Sequence, residues 1–166
     1  FEGNRKFSLE HLKLEYPVYG SSDYRYPAVE VLQENGSRIS DFVYVGHEIM
    51  DGKPKLQGLP ATYTESEEEA QTLCVKLKDE VTGVVLELLY TIFAQGGIVA
   101  RSAKLTNEGE KSVHLLSAMS LSLDLPDKEY VWMQFSGAWA RERHVKERKL
   151  EQGVQSVGSI RGNSSH

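Results

Sequence analysis

Across residues 72–125, apolar and β-branched side chains return at every second position, interrupted only by short turns that carry Gly or Asn. A side chain recurring with period two faces one side of a pleated strand, so this stretch is committed to half-buried β-structure. The spacing predicts two hairpins. One pairs residues 72–78 with 84–93 across Asp79-Glu80-Val81-Thr82-Gly83, and the other pairs 98–106 with 113–125 across Asn107-Glu108-Gly109-Glu110. Upstream, Tyr26-Pro27-Ala28-Val29-Glu30-Val31-Leu32 runs into Asn35-Gly36, both of which tolerate positive φ; a third hairpin is expected there, its second strand running from Arg38 to about Val45. Leu121, Leu123 and Leu125 alternate with Ser122 and Asp124, leaving one face wet.

Helical signal is thin. The acidic run 65–70 fits a turn or a short helix directly before a strand. Residues 141–151 have helix-forming composition but no apolar stripe, so they read as strand or loop. Regularly spaced short strands give an all-β fold, an antiparallel sandwich, with residues 1–166 as one domain.

At 166 residues, 40% of them hydrophobic, the chain can bury one sizeable core. Its net charge of −5, with acids and bases interspersed, argues against a dedicated nucleic-acid binder, whose phosphate contacts need a positive face. No stretch reaches the roughly twenty apolar residues of a membrane-spanning helix. The single cysteine, Cys74, sits in the alternating run Leu73-Cys74-Val75-Lys76-Leu77, which makes it a strand residue and excludes an internal disulfide. A reducing, cytoplasmic location is the expectation.

Candidate chemistry is sparse. His11, His47, His114, His144 and His166 show no H-x-x-x-H spacing, so neither a metal nor a cofactor is expected. There is no G-x-S-x-G elbow and no phosphate loop; the glycine- and serine-rich stretch 158–165 lacks the lysine and helix that phosphate binding needs. Glu65, Glu67, Glu68 and Glu69 read as a solvated face, and Asp124, just before Leu125-Pro126, as a turn cap. No catalytic carboxylate pair identifies itself. Two N-x-S sequons occur, at Asn35 and Asn163, and Asn35 already has a place in the expected turn. The charge run 141–149 is interrupted by Glu142 and Glu147 and reads as ion pairing at a strand edge. Trp139, beside Arg141 and Arg143, has the residue types of a sugar platform, because C–H faces of sugars stack on aromatic rings. The preferred reading packs both Trp132 and Trp139 into a core or a domain interface.

A set of phrases in fixed order carries further information. Glu15-Tyr16-Pro17-Val18-Tyr19-Gly20, Asp23-Tyr24-Arg25, Pro27-Ala28, Glu34-Asn35-Gly36-Ser37, Lys53-Pro54 and Gly58-Leu59-Pro60-Ala61-Thr62-Tyr63 are followed by Glu69-Ala70-Gln71-Thr72-Leu73 and Arg101-Ser102-Ala103. Leu123-Asp124-Leu125-Pro126, Gly137-Ala138-Trp139-Ala140-Arg141-Glu142-Arg143 and Arg161-Gly162-Asn163-Ser164-Ser165-His166 complete the series. Taken together these resemble the N-terminal domain of family 36 α-galactosidases over nearly the whole chain. Tyr24, Val18 and Ile160 are small departures from that pattern.

The resemblance implies a β-supersandwich, truncated at its N-terminus, preceding a catalytic barrel that is absent from this chain. Members of the family release terminal α-linked galactose from melibiose- and raffinose-type sugars with retention, using two barrel aspartates. The phrases that hold those aspartates do not occur here, so the chain alone is expected to be inactive, with no catalytic residue of its own. Arg5, within Asn4-Arg5-Lys6-Phe7-Ser8-Leu9, resembles the end of a segment that reaches a neighbouring subunit's pocket, which implies a homo-oligomer. An open sheet edge would favour such pairing. The competing expectations are a free-standing carbohydrate-binding sandwich and a family member that transfers galactose to another sugar.

Overall fold

The computed structural model describes residues 12–20, 24–58, 61–126 and 128–159. Among them are eight strands and one 3-10 turn: β1 (Val29–Gln33), β2 (Phe42–Asp51), the 3-10 turn (Glu67–Glu69), β3 (Ala70–Asp79), β4 (Val84–Phe93), β5 (Val99–Asn107), β6 (Val113–Ala118), β7 (Val131–Ala138) and β8 (Arg141–Lys149). All pairings between strands are antiparallel. The fold is an all-β sandwich, and the chain divides into two compact units, residues 1–124 and 125–166.

In the first unit, β2-β3-β4-β5 form a four-stranded sheet in sequence order, and β1 pairs with β6 in a second, two-stranded sheet. Of the expected hairpins, β3–β4 forms as read, from Ala70↔Phe93 to Lys78↔Val85. The other two do not. The Asn35-Gly36 turn is made, with the Gly36 N–H donating to Gln33 O at 2.9 Å and the Ser37 N–H to Asn35 Oδ1 at 2.9 Å. Beyond it, Ser37 to Asp41 lack apolar alternation and are held locally, with the Ser40 N–H donating to Tyr19 O at 3.3 Å. The chain therefore leaves β1 and enters the other sheet as β2. The turn after β5 behaves alike: the Glu108 N–H donates to Gly83 O at 3.1 Å, pinning it to the β3–β4 turn, and β6 returns to pair with β1. β4 and β5 instead join directly across Ala94–Ile98, where the Phe93 N–H donates to Ile98 O at 3.0 Å and Gly96 and Gly97 adopt φ of 85° and 61°. The Leu121–Leu125 alternation lies outside any strand, since β6 ends at Ala118.

Two crossings between sheets place the core. Val29 and Val31 of β1 meet Val84 of β4, with Tyr16, Val18, Phe42, Leu105 and Val113 packed around them. Leu86 is 1% exposed, and burying an aliphatic side chain of that size contributes about 1.5–3 kcal/mol. Asp79, 2% exposed, is satisfied by three main-chain donors: the Val81 and Thr82 N–H groups on Oδ1 at 2.9 and 3.0 Å, and the Asp41 N–H on Oδ2 at 3.0 Å. A buried carboxylate without such donors would be costly. Thr72 and Thr91, opposite each other and buried, share a hydrogen bond of 2.8 Å, and the Thr72 hydroxyl also lies 2.7 Å from Gly52 O.

The Gly83 and Gly109 turns stack so closely that a Cβ on Gly83 would sit 2.6 Å from Gly109 Cα, and one on Gly109 would overlap the Thr82 carbonyl. Gly109→Ala is expected to lower stability by about 1–3 kcal/mol. Gly158→Ala, where a Cβ meets nothing within 4 Å, should have no effect. Equal urea midpoints for the two variants would contradict the stacked-turn packing.

Candidate functional site

Among the described residues, a recess on a sheet and a hairpin each combine exposed aromatic or apolar surface with polar groups. The first lies on the four-stranded sheet. Leu73, Val75, Leu77, Leu86 and Leu88 share one face of β3 and β4 and floor a half-open recess of about 480 Å³ with Glu15 and Asp41 among its polar residues. At its margin the Arg101 guanidinium lies 4.5 Å above the Tyr90 ring. It pairs with Glu15 Oε1 at 2.7 Å and donates to Ser122 O at 3.3 Å. The Tyr90 hydroxyl donates to the same Glu15 oxygen at 2.9 Å. Burial first, then the hydrogen bond to the Glu15 carboxylate, push the Tyr90 phenol up to about 12. Next to it, Tyr16 donates its hydroxyl to Met119 O, and burial raises its pKa as well.

Asp124 does not act as a local turn cap. It accepts the Leu14 N–H at 3.0 Å and pairs with Arg25, whose guanidinium also donates to Leu12 O at 2.7 Å. Arg101 and Tyr90 thus fasten Glu15 and Ser122 to the sheet, while Tyr16, Arg25 and Asp124 join residues 12–16 to residues 119–124. At this margin Glu15, Tyr90 and Arg101 are engaged with one another, and their arrangement is that of a clamp.

The second place is the β7–β8 hairpin. Ala138 pairs with Arg141, so Trp139 and Ala140 form a two-residue turn, with Ala140 at φ 61°. Trp139 is 81% exposed at the tip, which rules out the core, one of the two placements expected of it, the other being a domain interface. Trp132 is half-buried, covered by the Arg148 guanidinium 4.9 Å from its ring. On the other face Val131, Met133 and Phe135 of β7 are exposed, Phe135 opposite the exposed Val145. The charge run forms strand β8, one of the two forms expected of it; it makes an ion pair from Lys149 to Glu129 at 4.0 Å, while Arg148 rests on Trp132. Arg5 lies outside the described residues, as do His11 and His166.

Several other polar and titratable groups among the described residues have structural partners. Tyr44 and His47 Nδ1 are hydrogen-bonded at 2.5 Å. Glu69 closes a capping box on Ser66, a device that satisfies the free N–H groups of a helix start. Burial, followed by Glu87 and Glu48, raises the Cys74 thiol, which keeps it protonated and poorly nucleophilic. Among the described residues no group of three or more His, Cys, Asp or Glu is placed to hold a metal ion. No helix of the described residues is long and apolar enough to cross a membrane.

With this geometry in place, comparison with known proteins is decisive. The model of the glycosyl hydrolase family 36 N-terminal domain matches residues 2–166. The chain belongs to this family. Alpha-galactosidase AgaA of Geobacillus stearothermophilus is 47% identical over 163 residues, covering 98% of this chain and 22% of that protein. Alpha-galactosidase 1 of Pediococcus pentosaceus is 40% identical over 172 residues, covering 100% of this chain and 24% of its own length. The crystal structure of AgaA superimposes with a TM-score of 0.92 over 98% of this chain and 23% of that one. The family 36 domain described here therefore spans less than a quarter of the length of these relatives.

The clamp has a measurable consequence. A phenol whose folded pKa lies above its unfolded value stabilises the fold below about pH 10, and loses that contribution as pH rises through about 12. Alkaline titration of tyrosine absorbance should show a late-ionising class that loses one phenol in Tyr90→Phe. Arg101→Met is expected to cost about 1–3 kcal/mol in urea unfolding, whereas Lys104→Met, which removes a solvent-exposed pair with Glu87 at 2.7 Å, should leave the midpoint unchanged. Equal effects of the two substitutions would disprove the clamp.

Proposed function

We propose that the chain serves as the non-catalytic N-terminal sandwich of a retaining α-galactosidase acting on terminal α-galactosides such as melibiose and raffinose. The observation that carries this reading is the family match across residues 2–166, supported by named α-galactosidases aligned over nearly the whole chain. One solved relative, a variant of the Geobacillus enzyme, is in complex with raffinose, which supports the same substrate class. In the proposed protein, one carboxylate attacks the anomeric carbon and a second protonates the departing oxygen, then activates water. Both belong to a barrel beyond this chain. The sandwich supplies a rigid wall and subunit contacts.

Within that reading, Trp139 is the candidate sugar contact, since it offers an open ring at the hairpin tip with Arg141 and Arg143 following in sequence. Arg5 is the second candidate, and a homo-oligomer in a cytoplasmic setting is the assembly we favour. Neither nucleic acid nor membrane is a proposed partner. The exposed apolar face of β7–β8 supports docking, because a two-stranded ribbon is marginal by itself.

The chain by itself should release no galactose from melibiose or a nitrophenyl galactoside above the buffer rate, while the full-length protein turns both over. Trp139→Ala in the full-length protein should raise KM with a smaller effect on kcat. Turnover by the isolated chain, abolished by one of its own aspartate substitutions, would defeat the proposal.

A further inference from the structure

Asn35-Gly36 is the sequence signal that the fold only half uses: it turns the chain but does not make a hairpin. We propose that Asn35 is a site of spontaneous covalent modification, deamidation through a cyclic imide, with water as the co-reactant. The Gly36 backbone nitrogen attacks the Asn35 side-chain carbonyl carbon. A C–N bond forms, the nitrogen's proton passes to solvent, and the side-chain amide leaves as ammonia. Water then opens either carbonyl of the five-membered ring, giving aspartate or isoaspartate at position 35.

Several observations converge on this residue. Asn35 and Gly36 are both exposed, and the space a Cβ would occupy at Gly36 is empty to 4 Å, so no side-chain bulk crowds the attacking nitrogen. Glycine at φ 82° has the freedom a cyclic imide requires. The Ser37 N–H already donates to Asn35 Oδ1 at 2.9 Å, polarising the carbonyl and standing ready for the charge that develops on that oxygen. Opposing the attack is one bond, from the Gly36 N–H to Gln33 O at 2.9 Å, in an exposed turn that opens readily. Asn107 is the contrast. It accepts the same kind of bond, from the Gly109 N–H at 3.0 Å, but it is followed by Glu108, whose side chain crowds the attacking nitrogen, and its leaving amide is held by donating to Lys111 O at 2.8 Å.

The modification would change the fold locally. A carboxylate would appear next to Glu34 on a cleft that also carries Glu80 and Glu110, with Lys111 the one cation lining it among the described residues. Isoaspartate would also lengthen the main chain inside the turn whose Ser37 O holds the Gln33 N–H at 2.9 Å, at the end of the buried strand β1.

The test is to hold the native chain in mildly alkaline buffer for several weeks and map it with trypsin, which frees residues 26–38 and 105–111 as separate peptides. The 26–38 peptide should gain about 1 Da and split into two chromatographic species, while the Asn107 peptide stays unchanged. Gly36→Ala should slow the gain by at least about tenfold, and Asn35→Gln should abolish it even if the alanine variant is strained. Asn35→Asp should show a lowered Tm. An unmodified 26–38 peptide, modification no faster than at Asn107, or gain only in denatured chain would overturn the proposal.

Discussion

The antiparallel pairing of β1 with β6 is the constraint from which the rest of the first unit follows. It joins residues 29–33 to 113–118, so the four-stranded sheet must be built between them in sequence. Closing so long a loop costs conformational entropy, and the return is the burial of Val29 and Val31 against Val84. A bulge between Glu30 and Val31 shifts the register, and Leu116 is the extra residue on β6. If this ribbon were lost, the sheet would keep its ladders but lose the layer that makes its inner face a core.

The polar interactions are subordinate to that layering and secure its margins. Asp79 ties the β3–β4 turn to the approach of β2, and Gly83 against Gly109 ties it to the turn after β5. At the other side, Arg101 and Tyr90 hold Glu15, while Arg25 and Asp124 close the same segments from outside. These side chains have residue types found in active sites, yet each is bonded to a structural neighbour. That is a physical reason for a scaffold to look catalytic in composition and not in geometry.

Strand content was legible because period two is a local property: β3, β4 and β5 lie close to where the alternation placed them. Pairing was less so. Asn35-Gly36 and Asn107-Glu108-Gly109-Glu110 are turn signals, but a turn does not dictate which sheet the next strand joins. That depends on Gly83, Tyr19 and β6, all distant in sequence from the turns they meet. The Gly96-Gly97 dipeptide was the available sign of the β4–β5 hairpin. Trp139 lies outside the core of this chain because its position in a two-residue turn depends on Ala140 reaching positive φ, which hydrophobicity does not report. Strand β8 carried no alternation at all, and only its register with β7 defines it. The family phrases, which depend on order and not on periodicity, identified what the physics of single segments could not.

Asp79, Glu15 and Asp124 are each bonded to neighbouring segments of the sheet, and the proposed function sets the chemistry elsewhere. The most direct measurement is a crystal structure of the full-length protein holding an uncleaved α-galactoside. The account predicts that both carboxylates flanking the anomeric carbon lie outside these 166 residues, with the present segment contributing at most rim contacts. An aspartate or glutamate of this chain within about 3.5 Å of that carbon would contradict it.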